Sequence, residues 1–201
     1  MKHVILVLVL LVILGGLALV VGGLWAISVN NGLARANQEV EEKWGQVQNV
    51  YQRRADLIPN LVETVKGFAT QERTVLTDVT AARSRATSIQ LTPEALNDPK
   101  AMERFAAAQG QLSGALSRLM VTVERYPDLK SNQNFLTLQS QLEGTENRIA
   151  VERRRYNEAV KDYNNRLVVF PDRIVASFAG FKPKAYFEAA PEAATAPKVK
   201  F

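Results

Sequence analysis

The chain has no cysteine and a single histidine, His3, in 201 residues. The first absence excludes disulfides, thiolate catalysis, cysteine-ligated zinc and lipidation at a cysteine, and leaves the redox compartment open. The second excludes a histidine-based triad and a histidine metal cluster. Carboxylates remain as the plausible catalytic groups, and no cofactor motif accompanies them. Proline is also scarce at the start: Pro59 is the only one between Met1 and Pro93. No strand pattern and no internal repeat stands out. What is present is a succession of helical periodicities, enough for one compact domain of roughly 150 residues once the terminal segments are set aside.

Val4 to Ile27 carries no charge. Some 24 residues at about 1.5 Å each give about 36 Å, enough to cross a hydrocarbon core of about 30 Å. The run is longer than the core of a signal peptide, so it reads as an uncleaved anchor, although Lys2 and Ala26-Ile27-Ser28 offer the elements of a cleaved one. Lys2 before the span, against Arg35 and Lys43 mixed with Glu39, Glu41 and Glu42 after it, separates the two orientations little. The reading taken is a single pass of the inner cell membrane with the domain outside the cytoplasm. Gly15, Ala18, Gly22 and Ala26 share one face of the span, and small residues at such spacing let helices approach closely in lipid. They are the first candidate contacts for a homo-oligomer.

Asn30-Asn31-Gly32 reads as a local breaker, which divides the chain into a flank (1–3), an anchor (4–29), a helical domain (30–180) and a C-terminal segment (181–201). Leu33, Ala36, Val40, Trp44, Val47 and Tyr51 then recur at helical spacing, as do Leu61, Val65, Phe68, Leu76, Val79, Ala82 and Ala86 beyond Pro59. Proline breaks or kinks a helix, so the chain either turns back at Ile58-Pro59 or continues kinked. The turn lets each apolar stripe cover the other, giving helices over 33–57 and 60–89. Thr92-Pro93 and Asp98-Pro99 are helix-start signatures and open a third helix over 99–125. Ser131 or Asn132 caps a fourth over 132–169, whose alternating three-four spacing approaches a coiled-coil pattern. A short helix over 172–179 precedes Gly180. The expected fold is all-α: an N-terminal transmembrane helix followed by an antiparallel up-and-down four-helix bundle. Phe178 to Phe187 carries four aromatics outside any period. Phe181, Tyr186 and Phe187 are therefore candidate oligomer or membrane contacts, or a cover for the bundle's open end. The Ala/Pro-rich tail after them reads as disordered.

Two long segments, RRADLIPNLVETVKGFATQE from Arg53 and YNEAVKDYNNRLVVFPDRIVASFAGFKPKAYFE from Tyr156, resemble the signatures of the LemA proteins. With the apolar N-terminus and NNGLARANQEVEEKW, the resemblance spans about residues 1–188. It implies a membrane-anchored four-helix bundle and marks Arg53, Arg54, Asp56, Pro59 and Asn60 as motif positions. It implies neither catalytic residues nor a cofactor.

The residues themselves favour structural roles. Arg53 and Arg54 can hold a phosphate at a helix start, or pair with Asp56 or a neighbouring helix; Asp56 can accept backbone N–H groups near Pro59. Glu72, Thr145 and Glu152 fall on inward stripes, but a di-metal bundle site would need Glu-x-x-His motifs that are absent. Arg153-Arg154-Arg155 is diluted by Glu146, Glu152 and Glu158 and lacks a nucleic-acid motif, so it reads as a solvated face. Trp44, Tyr51, Tyr156 and Tyr163 read as core, and Asn157, Asn164 and Asn165 as polar contacts across the bundle or to another subunit. The function expected is a non-enzymatic membrane scaffold that self-associates at the lipid bilayer, with no nucleic acid. An accessory module for another membrane protein is the alternative, and a carboxylate-only hydrolase or metal enzyme is a third reading.

Overall fold

The computed structural model describes residues 2–69 and 71–188. The expectation of disorder in the tail beyond Glu188 lies outside them. The described chain is all-helical, with no strand: α1 Lys2–Phe68, α2 Arg73–Ser88, a 3-10 turn Ala95–Asn97, α3 Pro99–Val123, α4 Pro127–Lys130, α5 Gln133–Val168 and α6 Asp172–Ala179. The first part of α1 is long and apolar enough to cross a membrane: an 18-residue window within it has mean hydropathy 2.6 and is not buried. The large apolar side chains described between Ile5 and Ile27 are exposed, from 39% at Trp25 to 79% at Leu19.

Neither expected break in α1 occurs. The Asn30-Asn31-Gly32 breaker is helical throughout. A Cβ on Gly32 would lie 2.7 Å from Arg166 Nη2, so this glycine admits a guanidinium arriving from α5 rather than ending a helix. The turn at Pro59 is also absent, and helices over 33–57 and 60–89 give way to one helix that reverses only after Phe68. A proline withholds the N–H that would bond the carbonyl four residues back, here Ala55. Arg83 Nε from α2 donates to that carbonyl at 2.7 Å. The ring itself lies on the exposed face of the helix. Pro59 thus costs α1 one internal bond, and a neighbouring helix replaces it.

The reversal falls at Ala69–Glu72. Ala69 N–H bonds Val65 O, and Glu72 N–H bonds Ala69 O. Glu72 Oε1 accepts from Tyr126 Oη at 2.9 Å and Arg125 Nη2 at 3.0 Å, which ties this turn to the end of α3. That bond and burial raise the Tyr126 pKa above its ordinary value. Other boundaries follow local chemistry. Asp98 accepts from Lys100 N–H and Asn132 from Phe135 N–H, one cap at the start of α3 and one at the start of α5. Gly180 closes α6 at φ 76°, a left-handed conformation open to glycine.

Two large apolar clusters fill the interior, beside a small third that joins Val29 and Leu33 of α1 to Ala176 of α6. One gathers Val40, Trp44, Val47 and Tyr51 of α1 with Met102 and Phe105 of α3, and Tyr156, Val160 and Tyr163 of α5. The other gathers Ile58, Leu61 and Val65 with Leu76 and Val79 of α2, Leu112 and Leu119 of α3, and Phe135 and Leu142. The stripe on α1 therefore needs no fold-back, because α2, α3 and α5 cover it.

The pairing of Arg83 with the carbonyl that Pro59 leaves free gives a measurable coupling. Pro59→Ala restores an N–H on an exposed face and is expected to raise stability by up to about 3 kcal/mol. Arg83→Met is expected to cost about 1–2 kcal/mol in the native background and clearly less beside Pro59→Ala. Urea unfolding of the four variants, followed by helical circular dichroism, measures the cycle. Simple additivity would contradict the assignment.

Candidate functional site

Of the five motif positions Arg53, Arg54, Asp56, Pro59 and Asn60, only Arg54 turns inward; the other four are exposed. Asp56 accepts from Gln52 Nε2 at 2.7 Å rather than from backbone near Pro59. The carbonyl of Asn60 accepts Thr64 Oγ1. Arg54 is 1% exposed, the largest of the fully buried side chains. Its Nη1 donates to Glu146 Oε1 at 2.6 Å and Ser113 Oγ at 2.9 Å, and its Nη2 to Gln109 Oε1 at 2.5 Å. Gln109 Nε2 in turn donates to Ala86 O at 3.2 Å. The Tyr51 ring lies 5.1 Å from the guanidinium carbon. One chain of polar contacts therefore touches α1, α2, α3 and α5, between the two apolar clusters. A planar fork suits this task, since several acceptors in different directions must be met from one point. Among the described residues Arg54 Nε has no hydrogen-bond partner.

The second constellation lies on α5 and repeats after seven residues. Tyr163 Oη donates to Lys182 O and Tyr156 Oη to Ala185 O, both at 2.9 Å. Asn164 exchanges two bonds with the backbone of Lys184, and Asn157 exchanges two with that of Phe187, all at 2.8–2.9 Å. Seven helical residues advance about 10.5 Å and three extended residues about 10 Å, so the two repeats match. Phe181 to Glu188 is thereby held as an extended strap. Ala185 N–H bonds Leu96 O at 2.7 Å on its other side, and Lys184 Nζ reaches Pro93 O at 3.2 Å. Phe187 enters the core, where its ring lies 6.1 Å from Phe105 and 6.4 Å from Tyr51, with Arg153 stacked 3.9 Å from its centre.

Burial sets the electrostatics of the strap. It pushes the Tyr51, Tyr156 and Tyr163 hydroxyls up from their ordinary value, with the Glu41 charge adding to the effect at Tyr163. It pulls the Lys184 ammonium down, against the opposing pull of Glu41 and Glu94.

The remaining sequence candidates are dispersed. Phe187 is buried in this chain's own core, Phe181 is half-buried against it, and Tyr186 is 42% exposed. Among the described residues nothing outside the helix backbone lies within 4 Å of a Cβ built on Gly15 or Gly22, and Ala18 is exposed while Ala26 is half-buried. Glu72 serves the α1–α2 turn, Thr145 Oγ1 bonds Gln141 O, and Glu152 pairs with Arg155 at 2.8 Å. These three do not converge, and among the described residues no group of three or more His, Cys, Asp or Glu is placed to hold a metal ion. The asparagine contacts foreseen across the bundle or to another subunit go instead, at Asn157 and Asn164, to the strap. The Tyr-Asn pairs seven residues apart were the available signal for it. An open groove of about 710 Å³ runs beside the strap, lined by Arg153, Arg154, Asn157, Glu158, Lys161, Tyr186 and Phe187.

An exposed apolar helix continuous with a helical core, closed by a strap read through its backbone, defines the class: an all-helical protein with an N-terminal apolar segment. The LemA family model matches residues 43–201, and the chain belongs to the LemA family. The match begins within α1, so the apolar segment lies outside it, and it runs through the tail to Phe201. No curated protein matches the chain.

Arg54→Lys is expected to cost about 2–3 kcal/mol, below the usual figure for breaking a buried pair because the Glu146 side chain is 44% exposed. Arg53→Lys should change stability by less than about 0.5 kcal/mol. Urea unfolding of both tests this, and equal losses would remove the special place given to Arg54. For the strap, Asn157→Leu with Asn164→Leu should open trypsin cleavage after Lys184, now 6% exposed, without loss of helicity. Its pH dependence has two signs. Lys184, with its pKa depressed, is relieved as the pH rises toward the ordinary 10.5. The tyrosines, with theirs raised, stabilise the fold below 10.0 and lose that contribution as the pH passes it. Tyr156→Phe with Tyr163→Phe should therefore flatten the alkaline loss of stability.

Proposed function

We propose that this chain is a non-enzymatic, membrane-anchored scaffold: an antiparallel up-and-down four-helix bundle, fixed to the inner membrane by α1 and self-associating there. The observation that carries the reading is the continuity of α1. One helix of 67 residues contains both the exposed apolar segment and the stripe that centres the core, with no linker between them. Such a helix transmits the orientation of the anchor directly to the bundle. The order of the cross-helix contacts supports the bundle. Trp44 meets Tyr156 while Arg54 meets Glu146, so α5 runs opposite to α1. Arg83 meets Ala55 and Gln109 meets Ala86, while Glu72 meets Tyr126, so α2 runs opposite to both α1 and α3.

For self-association the proposed contacts are Gly15, Ala18, Gly22 and Ala26 of the span, joined by the exposed Tyr186. Phe181 and Phe187 are assigned to the chain's own strap. The domain is assigned to the side of the membrane away from the cytoplasm. A second reading, an accessory module for another membrane protein, is favoured by the groove beside the strap, where Arg153, Arg154 and Lys161 outnumber Glu158.

Particle size of the full chain in mild detergent, by light scattering and electron microscopy of one sample, is the test. A discrete large assembly is expected, reduced in size by Gly22→Ile with Ala18→Ile. A monomer that crosslinks in membranes only to other proteins would replace the scaffold with the accessory module.

A further inference from the structure

Beyond Ile27, the described residues include nine large apolar side chains that are exposed, and five of them, Val168, Val169, Phe170, Ile174 and Phe178, fall in eleven consecutive positions. Phe178 is 89% exposed and Phe170 68%. This is the corner between α5 and α6, and a core-forming role does not account for it. On α6 the buried contact is made by Ala176, with Val175 beside it, while Ile174 and Phe178, four apart on one face, point away from the protein.

The position of the corner says what it meets. Ala176, Val175, Leu167 and Phe181 pack on Val29 and Leu33 of α1. Val29 stands two residues, about 3 Å along the axis, beyond Ile27, the last of the exposed apolar residues of the span. Arg166, closed over Gly32, pins α5 at the same height. The apolar corner therefore continues the exposed apolar face of α1 sideways, at the level where that face ends.

Charge agrees with this placement. Between Asn165 and Lys184 the only acidic residue is Asp172, and it is neutralised by Arg166 at 2.9 Å. Arg173 and Lys182 are exposed beside the patch, and Arg35 is exposed on α1 one turn above. Apolar side chains with a basic rim suit the boundary between acyl chains and anionic headgroups.

We infer that the α5–α6 corner is a second membrane contact, in which Phe170, Ile174 and Phe178 enter the headgroup boundary of the same bilayer that α1 crosses, with Arg173 and Lys182 against anionic headgroups. The inference rests on the anchor reading of α1. Two contacts on one bilayer fix the rotation of the bundle about α1 and hold the domain close against the surface.

The absence of cysteine makes a direct test possible. Leu14→Cys, Ile174→Cys, Phe178→Cys and Val121→Cys, each in the full chain, are labelled with an environment-sensitive fluorophore and reconstituted in phosphatidylcholine–phosphatidylglycerol vesicles carrying lipid-attached quenchers. Val121, at the end of α3 away from the span and 73% exposed, is the water-facing reference. Labels at 174 and 178 are expected to be quenched severalfold more than at 121 by quenchers near the headgroups, and the label at 14 by quenchers deep in the bilayer. An unquenched label at 14 overturns the anchor and the inference with it. Quenching at 14 with 174 and 178 open to an aqueous quencher overturns the corner contact alone. Labels at 174 and 178 shielded from both lipid and water assign the corner to a second copy or a partner protein, and also overturn it. Removing phosphatidylglycerol is expected to weaken the headgroup quenching, and no change would remove the charge argument.

Discussion

A guanidinium group buried among helices must find acceptors on all sides, and that requirement fixes how the long helices of this protein stand against one another. Arg54 lies between two apolar clusters and meets Glu146, Ser113 and Gln109, with Gln109 passing the contact on to the carbonyl of Ala86. Sliding any one helix by a residue would separate a buried charge from an acceptor, which costs far more than a misplaced leucine. Apolar stripes specify which faces meet; Arg54 specifies the register at which they do so. In the family motif around it, Arg54 is the inward polar residue on a helix face whose other buried members, Ala55, Ile58 and Leu61, are apolar, while Arg53, Asp56, Pro59 and Asn60 face solvent.

Local chemistry was legible where it was truly local. The caps at Asp98 and Asn132, the glycine stop at Gly180 and the apolar spacing of α3 and α5 are set by residues within a turn of one another, and the chain could be read as all-helical from them. Pro59 and Gly32 depart from their sequence signal for a common reason. Each carries a strong breaking tendency, and each is accommodated by an arginine far away in sequence, Arg83 donating to Ala55 O and Arg166 lying over Gly32. Nothing in the neighbourhood of Pro59 reveals that a donor will arrive from α2. The stripes on either side of Pro59 share one helical phase, through Tyr51, Ile58, Leu61 and Val65, and burial of that stripe outweighs the loss of one hydrogen bond.

The candidate site was legible in parts. Of the two adjacent arginines, the spacing of Val47, Tyr51, Ile58 and Leu61 puts Arg54 and not Arg53 in phase with the buried stripe, a distinction that holds only if the helix runs on through Pro59. Glu72 was assigned to an inward stripe because the helix was expected to extend through it; it instead ties the turn after α1 to Tyr126. The aromatics of the C-terminal segment were identified as needing a surface. That surface is α5, whose paired tyrosines and asparagines bind the strap by its backbone and leave its side chains to choose between core, as Phe187 does, and solvent, as Tyr186 does.

The strap carries a consequence for the order of assembly. Tyr51 and Phe105 leave the ribosome long before Phe187, the ring that lies against both of them in the finished protein. Until Phe187 has been made, the aromatic pocket between α1 and α3 has no lid, and Asn157 and Asn164 have no backbone to bond. A chain ending before that residue would leave the Tyr51 and Phe105 rings without this cover and Asn157 without its backbone partner. Of the rings in the aromatic cluster begun by the first helix, the last to be synthesised is thus the one that closes it.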